Sequence, residues 1–396
     1  MYPSVPSLKA DVVAQQSPAT RRKRVLQIVA SSRGGGAEVL RCLVKGLDPN
    51  EFESVVIMPN DGGHVAENDF RDLGAALHRF TLDASFNVSE FLRLRRFVRG
   101  GHFDIVHVHG SRAALWGRLA AIGRQRPRIV FGVHGLSIVH YTGLKRTLLV
   151  STERVLRLIT DATLCDSTVE RDDILKWRIG SPDKASVIWN GIDLGRLLTP
   201  PRDRAQAREK LQMDDNVLIL VMVARLHKPR DFETLIAGMV RIVRELPHAR
   251  LLIVGDGPLR PHVENLIERD HLQKHVRLLG LVRDVAEVLA AADVALLITA
   301  GWEGLPLAAL EAMALGLPLI ISDVGGNREA IVNGETGYLI PQRDATAFVK
   351  AALDLLNEPA RAQRMGQAGA ARVRREFGLQ TMSDKVAQVY RALLRD

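Results

Sequence analysis

The chain is expected to fold as two doubly wound α/β domains that face each other across a cleft. Three observations lead there. Its 396 residues exceed the size at which a single hydrophobic core usually stops growing. Short β-branched runs alternate with helical patterns through both halves, an alternation that builds parallel sheets covered by helices. Near the middle, Asn190-Gly191 is a turn signal, and Pro200-Pro201 with the charged residues after it reads as a linker. The first domain is therefore read as 25–193 and the second as 194–376, with a basic, disordered tail over 1–24 and a terminal helix after 377.

Taken in order, Val25–Ala30 is a short strand, and Ser31–Gly36 is a glycine turn that opens a helix. A strand, a glycine turn and a helix N-terminus aim backbone N–H groups at a point where an anion can bind. Neither this turn nor Gly255-Asp256-Gly257 completes G-x-G-x-x-G, so a nicotinamide-dinucleotide site is not expected. Residues 53–58 and 77–82 are further strands, and 88–99 is a basic amphipathic helix with Arg93, Arg95, Arg96 and Arg99. Asp104–His109 and Ile129–His134 are buried strands. Their histidines, His109 and His134, stand at carboxyl ends, where open α/β sheets bind ligands. In the second half, Leu218–Val223 is an apolar strand that runs into Arg225, Lys228 and Arg230. Further strands are expected at 250–255, 276–279 and 294–298, with Arg283 just past a strand end. Residues 344–357, 359–376 and 380–395 read as helices.

Composition narrows the class. Apolar content of 46% and charged content of 25% suit a soluble globular protein. Cys42 and Cys165 are far apart, without metal-ligand spacing, and fit a reducing cytosol. Net charge is +9; residues 1–190 hold 27 Lys/Arg against 19 Asp/Glu, whereas the remainder is nearly balanced at 27 against 26. A basic first half suits an anionic membrane surface or a phosphate-bearing acceptor. Nucleic acid fits poorly, with 5% aromatics and no nucleic-acid module. No signal peptide or spanning segment is apparent, so membrane contact is expected to be peripheral, at the inner face, through Arg21–Arg24 and the Arg93–Arg99 cluster.

The most informative stretch is Thr299–Glu329. A loop, Gly301–Pro306, leads into Ala308–Ala314, a run of good helix formers stopped by Gly316 and Pro318. Glu303 precedes the helix and Glu311 sits inside it. An apolar helix buries its carboxylate, which then needs a partner, and sugar hydroxyls would supply one.

This stretch resembles the donor-site signature of the retaining glycosyltransferases of family four (glycosyl transferases group 1), whose fold is GT-B. The resemblance rests on Glu303-Gly304, Pro306, Glu311-Ala312-Met313-Ala314, Gly316, Pro318, Asp323, Gly325-Gly326 and Glu329. It is supported by the Gly35-Gly36 turn, by the strand-end His109 and His134, and by Val187–Asp193. Arg225 fits the family's Arg, but its Lys position holds Arg230, and Lys228 rivals Arg230 for that role. The resemblance implies transfer from a nucleotide-diphosphate sugar, with no metal or other cofactor. Gly35, Gly36, Arg225, Arg230 (or Lys228) and Arg283 would hold the nucleotide diphosphate, and Glu311 the ribose. Glu303, Gly304 and Leu305 would hold the sugar, with His109 and His134 on the acceptor side. Arg225, Arg230, Glu303 and His134 would carry catalysis. The terminal helix would cross back onto the first domain. The acceptor would be a glycan, by analogy a lipid-linked one used in bacterial surface polysaccharide. A nucleotide-sugar epimerase of the same fold and a non-catalytic partner subunit are the alternatives.

Overall fold

The computed structural model describes residues 21–395 apart from His64, Ala66, Ala84, Ser85, Gln125 and Pro201. Two parallel sheets organise it. The first contains β1 (Lys23–Val29), β2 (Phe52–Ile57), β3 (Ala76–His78), β4 (Ile105–His109), β5 (Arg128–Gly132), β6 (Ala162–Cys165) and β7 (Ala185–Val187), in the order β3-β2-β1-β4-β5-β6-β7. The second contains β8 (Leu218–Val223), β9 (Ala249–Val254), β10 (Val276–Gly280), β11 (Val294–Leu297), β12 (Leu319–Ser322) and β13 (Gly337–Ile340), in the order β10-β9-β8-β11-β12-β13. Every ladder is parallel, with helices on both faces, which is why β4 and β12 are buried along their whole length. Strand order reverses between β1 and β4 in one sheet and between β8 and β11 in the other. Those two switch points, where parallel sheets open a crevice, supply the walls of the cleft.

The linker is more ordered than its composition suggests. Asp193 and Asp203 cap two short helices, Leu194–Leu198 and Arg204–Lys210, by accepting from the amides of Arg196 and Gln206. The chain crosses between domains twice, side by side: the Ile192 amide donates to the Phe377 carbonyl and the Leu379 amide to the Ile192 carbonyl. The terminal helix, Leu379–Leu393, buries Met382, Val386, Ala387 and Tyr390 in the core of the first domain, among Val39, Leu43 and Phe52. Gly46 makes that seat possible, because a Cβ there would stand 2.2 Å from Ser383 Oγ.

One expectation needs correction. Of the tail expected over 1–24, residues 1–20 lie outside the described residues, but Arg21–Arg24 are folded. Strand β1 begins at Lys23, Arg21 pairs with Asp104 at 2.7 Å, and Arg24 pairs with Glu53 at 3.0 Å. The cluster on the helix Val88–Gly100 is also largely engaged. Arg93 pairs with Glu90 and lies 3.9 Å over the Phe80 ring, while Arg95 and Arg99 donate to the carbonyls of Leu119 and Ile122. Only Arg93 meets a carboxylate, so its charge has less left for a membrane, whereas Arg95 and Arg99 keep theirs.

Candidate active site

On the second domain the signature folds as a loop followed by the helix Leu307–Ala314. Glycines make the loop possible. A Cβ on Gly325 would stand 2.0 Å from the Glu303 carbonyl oxygen, and one on Gly326 would stand 2.5 Å from that of Gly304. Gly325-Gly326 therefore lies directly against Glu303-Gly304, and the Gly326 amide donates to the Glu303 carbonyl at 2.9 Å. The loop after β8 is braced in the same way by Gly255, where a Cβ would sit 2.0 Å from the Ala224 carbonyl oxygen. Within this frame Arg230 and Glu303 form a half-buried ion pair, with Thr299 Oγ1 3.5 Å from the guanidinium. The two are brought together in the loop that opens the signature.

The opposing wall is the glycine turn. Gly34 adopts φ 79°, a left-handed conformation that suits glycine, and opens the helix Gly35–Gly46. A Cβ on Gly34 would stand 3.7 Å from Arg225 Nη1, and one on Gly35 would stand 3.8 Å from the Leu307 methyl. Neither this helix nor Leu307–Ala314 has a side-chain cap, so the orphan N–H groups of both helices and the Arg225 cation collect at one place. Arg225 is exposed and makes no ion pair among the described residues. Asp61 holds the turn from behind, accepting from Ser31 Oγ at 2.7 Å and from the Ser32 amide at 3.0 Å.

Glu311 projects from its helix with no hydrogen-bond partner among the described residues. Burial pushes its carboxyl up to about 7, the negative field of Glu38 adds to this, and Arg196 opposes it. Glu38 is itself held by Arg41, which also reaches Asp193 at 3.2 Å.

A chain of hydrogen bonds lies behind this wall in the first domain. Gln27 on β1 donates from Nε2 to the Tyr390 hydroxyl at 3.2 Å, which leaves Gln27 Oε1 to accept from His109 Nε2 at 2.9 Å. Burial holds His109 well below the usual histidine range, so the ring is neutral and its Nδ1 accepts from His134 Nε2 at 2.9 Å. The other nitrogen of His134, Nδ1, lies 3.1 Å from both oxygens of Asp166. Both His134 nitrogens are therefore donors, and the ring is an imidazolium. Burial alone would lower its pKa, but the Asp166 carboxylate raises it above the ordinary value. Tyr390 donates its own proton to His107 Nδ1 at 2.7 Å, which leaves the His107 proton on Nε2. That atom has no partner among the described residues, and His107 lines a cavity of about 20 Å³, room for one water. The three imidazoles converge because residue 132 is glycine: a Cβ there would stand 2.9 Å from His134 Nε2 and 3.1 Å from His107 Nε2.

The domains are latched around this arrangement. Trp302 of the signature loop donates to Asp173 at 2.9 Å, and Asn190 donates to the Leu305 carbonyl at 3.0 Å. Glu329, the last residue of the signature, accepts from the Thr168 amide at 2.7 Å and from Trp189 Nε1 at 2.8 Å. It fastens the two domains together.

Most of the expected residues border one cleft. Gly35, Gly36 and Arg225 stand at the glycine-turn end, Glu311 projects from the helix Leu307–Ala314, and Arg230, Glu303 and Gly304 form the signature loop's end, while Leu305 is buried and tied through its carbonyl. Lys228 and Arg283 stand exposed on loops. His109 is corrected: it is buried behind His134 with both nitrogens occupied, so it has no free face for an acceptor. Gln27, His107, Asp166, Glu170 and Tyr390 were missed. Glu170 accepts from the amides of Asp166 and Gly135, and burial lifts its carboxyl to about 8. Gln27 left a signal, since a lone amide inside the apolar run VLQIVA needs a buried partner.

Two parallel sheets meeting at their switch points across a cleft are the architecture of the GT-B class of glycosyltransferases. The Anabaena HepE structure with UDP and glucose shares this fold, with a TM-score of 0.80 at 20% identity over 93% of this chain and 99% of that one. The family model described as glycosyl transferases group 1 matches residues 203–372, and that of glycosyltransferase family 4 matches 33–196. An Escherichia coli UDP-Gal:alpha-D-GlcNAc-diphosphoundecaprenol alpha-1,3-galactosyltransferase is 31% identical over 274 residues, 67% of this chain and 69% of that one. A D-inositol 3-phosphate glycosyltransferase of Streptomyces scabiei is 28% identical over 75% and 70%. The chain belongs to the group 1 glycosyltransferases of GT-B fold and is a glycosyltransferase.

Proposed function

We propose that the enzyme moves a sugar from a nucleotide-diphosphate donor to a lipid-linked glycan with retention at the anomeric carbon, in the assembly of a bacterial surface polysaccharide. The observation that carries this is the meeting of two uncapped helix N-termini with the unpaired Arg225 at one end of the cleft. A diphosphate is the ligand that such a concentration of positive potential suits. Glu311, desolvated and unpartnered, suits ribose hydroxyls, and the Arg230–Glu303 pair suits the sugar. In the transfer the C1–O bond to the diphosphate breaks and a bond from C1 to the acceptor oxygen forms on the same face. The acceptor proton passes to the departing phosphate oxygen. His134 is not a base in this scheme, because both of its protons are already donated; it contributes a fixed positive charge. Arg225 and the helix termini offset the charge on the leaving group, so we propose that no metal ion is required. The lipid-linked acceptor is supported by the Escherichia coli relative, whose name specifies a diphosphoundecaprenol-borne sugar.

The test is to incubate the enzyme with a panel of UDP-sugars and a diphosphoundecaprenol-linked N-acetylglucosamine acceptor, with and without EDTA. Transfer with an axial anomeric product that is indifferent to EDTA is expected. An inverted product overturns retention, loss of turnover on chelation overturns the metal-free part, and conversion of the donor sugar without acceptor points to the epimerase.

A further inference from the structure

We propose that the face formed by the helix Gly143–Leu156 and the turn Arg157–Ile159 docks the first domain onto an anionic lipid bilayer. This inference rests on the lipid-linked acceptor above and names the surface that would bring the enzyme to it.

Four large aliphatic side chains on this segment are turned to solvent: Leu144 is 85% exposed, Leu148 66%, Val155 65% and Leu158 72%. Their spacings of four, seven and three place them in one stripe along the helix and its continuation. The opposite face, with Val150, Glu153 and Leu156, is buried. Four large aliphatics aligned on one exposed face, with Ser151 between Leu148 and Val155, mark an interaction site, because scattered single residues do not line up.

Charge says what covers it. Lys145, Arg146, Arg154 and Arg157 flank the stripe. Their contacts are with rings and carbonyls, which leave their charge uncompensated: Lys145 lies 4.0 Å over Tyr141, Arg146 5.4 Å over Trp177, Arg154 donates to the Trp177 carbonyl and Arg157 to that of Gly180. The single acidic residue in the segment, Glu153, points inward and is spent on Arg118 at 2.6 Å. The exposed face thus carries aliphatic and cationic side chains with the hydroxyls of Thr147 and Ser151 and no exposed carboxylate of its own, the pattern of an element lying in the interface of an anionic membrane. A second copy of the chain fits worse, since a two-fold contact would press the same four cations against each other. The Val88–Gly100 helix differs, because Glu90 neutralises Arg93 there.

Vesicle flotation tests the docking with the full chain, using phosphatidylglycerol-containing and pure phosphatidylcholine vesicles. The wild type is expected to float with the anionic vesicles and to release as salt is raised. The variant Leu144→Gln/Leu148→Gln/Val155→Thr/Leu158→Gln is expected to lose binding tenfold or more while its UDP affinity in calorimetry stays unchanged. Equal flotation of variant and wild type, or no flotation of the wild type, overturns the proposal. So does a wild-type dimer in light scattering that the four substitutions dissolve. Transfer to a detergent-solubilised acceptor separates the two readings. If it proceeds without vesicle binding, only the docking fails; if vesicles bind but no sugar moves, only the proposed activity fails.

Discussion

The two walls of the cleft treat polar groups in opposite ways. Around the signature and the glycine turn, groups are left open: among the described residues Arg225 has no ion pair and Glu311 no hydrogen bond, and two helices start uncapped. On the histidine side nearly every position is closed, from Tyr390 through Gln27, His109 and His134 to Asp166. A desolvated group without a partner, as Glu311 is, is costly, and a fold retains it where a ligand will complete it. Completed chains fix geometry and protonation. Open positions therefore mark where a substrate goes, and closed ones mark what holds the site still.

If this contrast is sound, the largest effects come from open groups. Arg225→Ala should lower turnover by about 10²–10³, the scale of removing one preorganised charge-stabilising donor. Steady-state kinetics with the fold checked by circular dichroism decides it, and a loss below threefold would move the phosphate site elsewhere. Glu311→Gln should act in two directions. Donor affinity should weaken by about 1.5–3 kcal/mol, the value of a hydrogen bond to a charged group. The empty protein should be stabilised. Folding raises this carboxyl from 4.5 to about 7, so the folded state binds the extra proton and loses stability as pH climbs between those values. Above pH 7 the penalty amounts to about 3 kcal/mol, which the neutral amide avoids. Thermal unfolding at pH 8 checks this, and an unchanged or lower midpoint would contradict the desolvation argument.

A smaller test separates the two cations after β8. Arg230 is committed to Glu303, whereas Lys228 is exposed and solvated. Arg230→Ala strands a half-buried carboxylate and should cost about 1–3 kcal/mol in kcat/KM. Lys228→Ala should stay within about 0.5 kcal/mol. The reverse order would make Lys228 the second phosphate ligand.

The donor wall was legible because one continuous segment builds it: Glu303, Gly304 and Glu311 are joined to Gly325-Gly326 by glycines that close backbone contact demands. The histidine wall was not. Tyr390 and Gln27 are separated by most of the chain, and their meeting depends on β1 lying beside β4 and on the terminal helix crossing back. Sequence alternation does place His107 and His109 on one face of β4. It does not say that β1 and β5 would bring Gln27 and His134 to that face. The basic helices show a related gap between sequence and structure. Counting arginines at 93–99 does not reveal that Glu90 folds back onto Arg93, or that Glu153, the acidic residue of the helix at 143–156, turns inward to Arg118.

The subtlest test asks whether the closed chain sets the charge on His134. Gln27 Oε1 fixes the His109 proton on Nε2 and so keeps Nδ1 bare to accept from His134. With Gln27→Leu, His109 can carry its proton on Nδ1 instead, and the imidazolium then loses one of its two acceptors. A hydrogen bond to a charged group contributes about 1.5–3 kcal/mol, so the His134 titration should fall. Because the folded value is raised, the stability it brings is complete below the ordinary histidine value of 6.5 and disappears as pH rises through the folded one. In Gln27→Leu that disappearance should begin at lower pH, and the alkaline limb of kcat should move with it. Ring nitrogen-15 shifts of His134 across pH 5–9 report the same proton directly. A variant whose His134 titrates like the wild type would show that Asp166 alone holds the charge and that Gln27 and His109 only fill space.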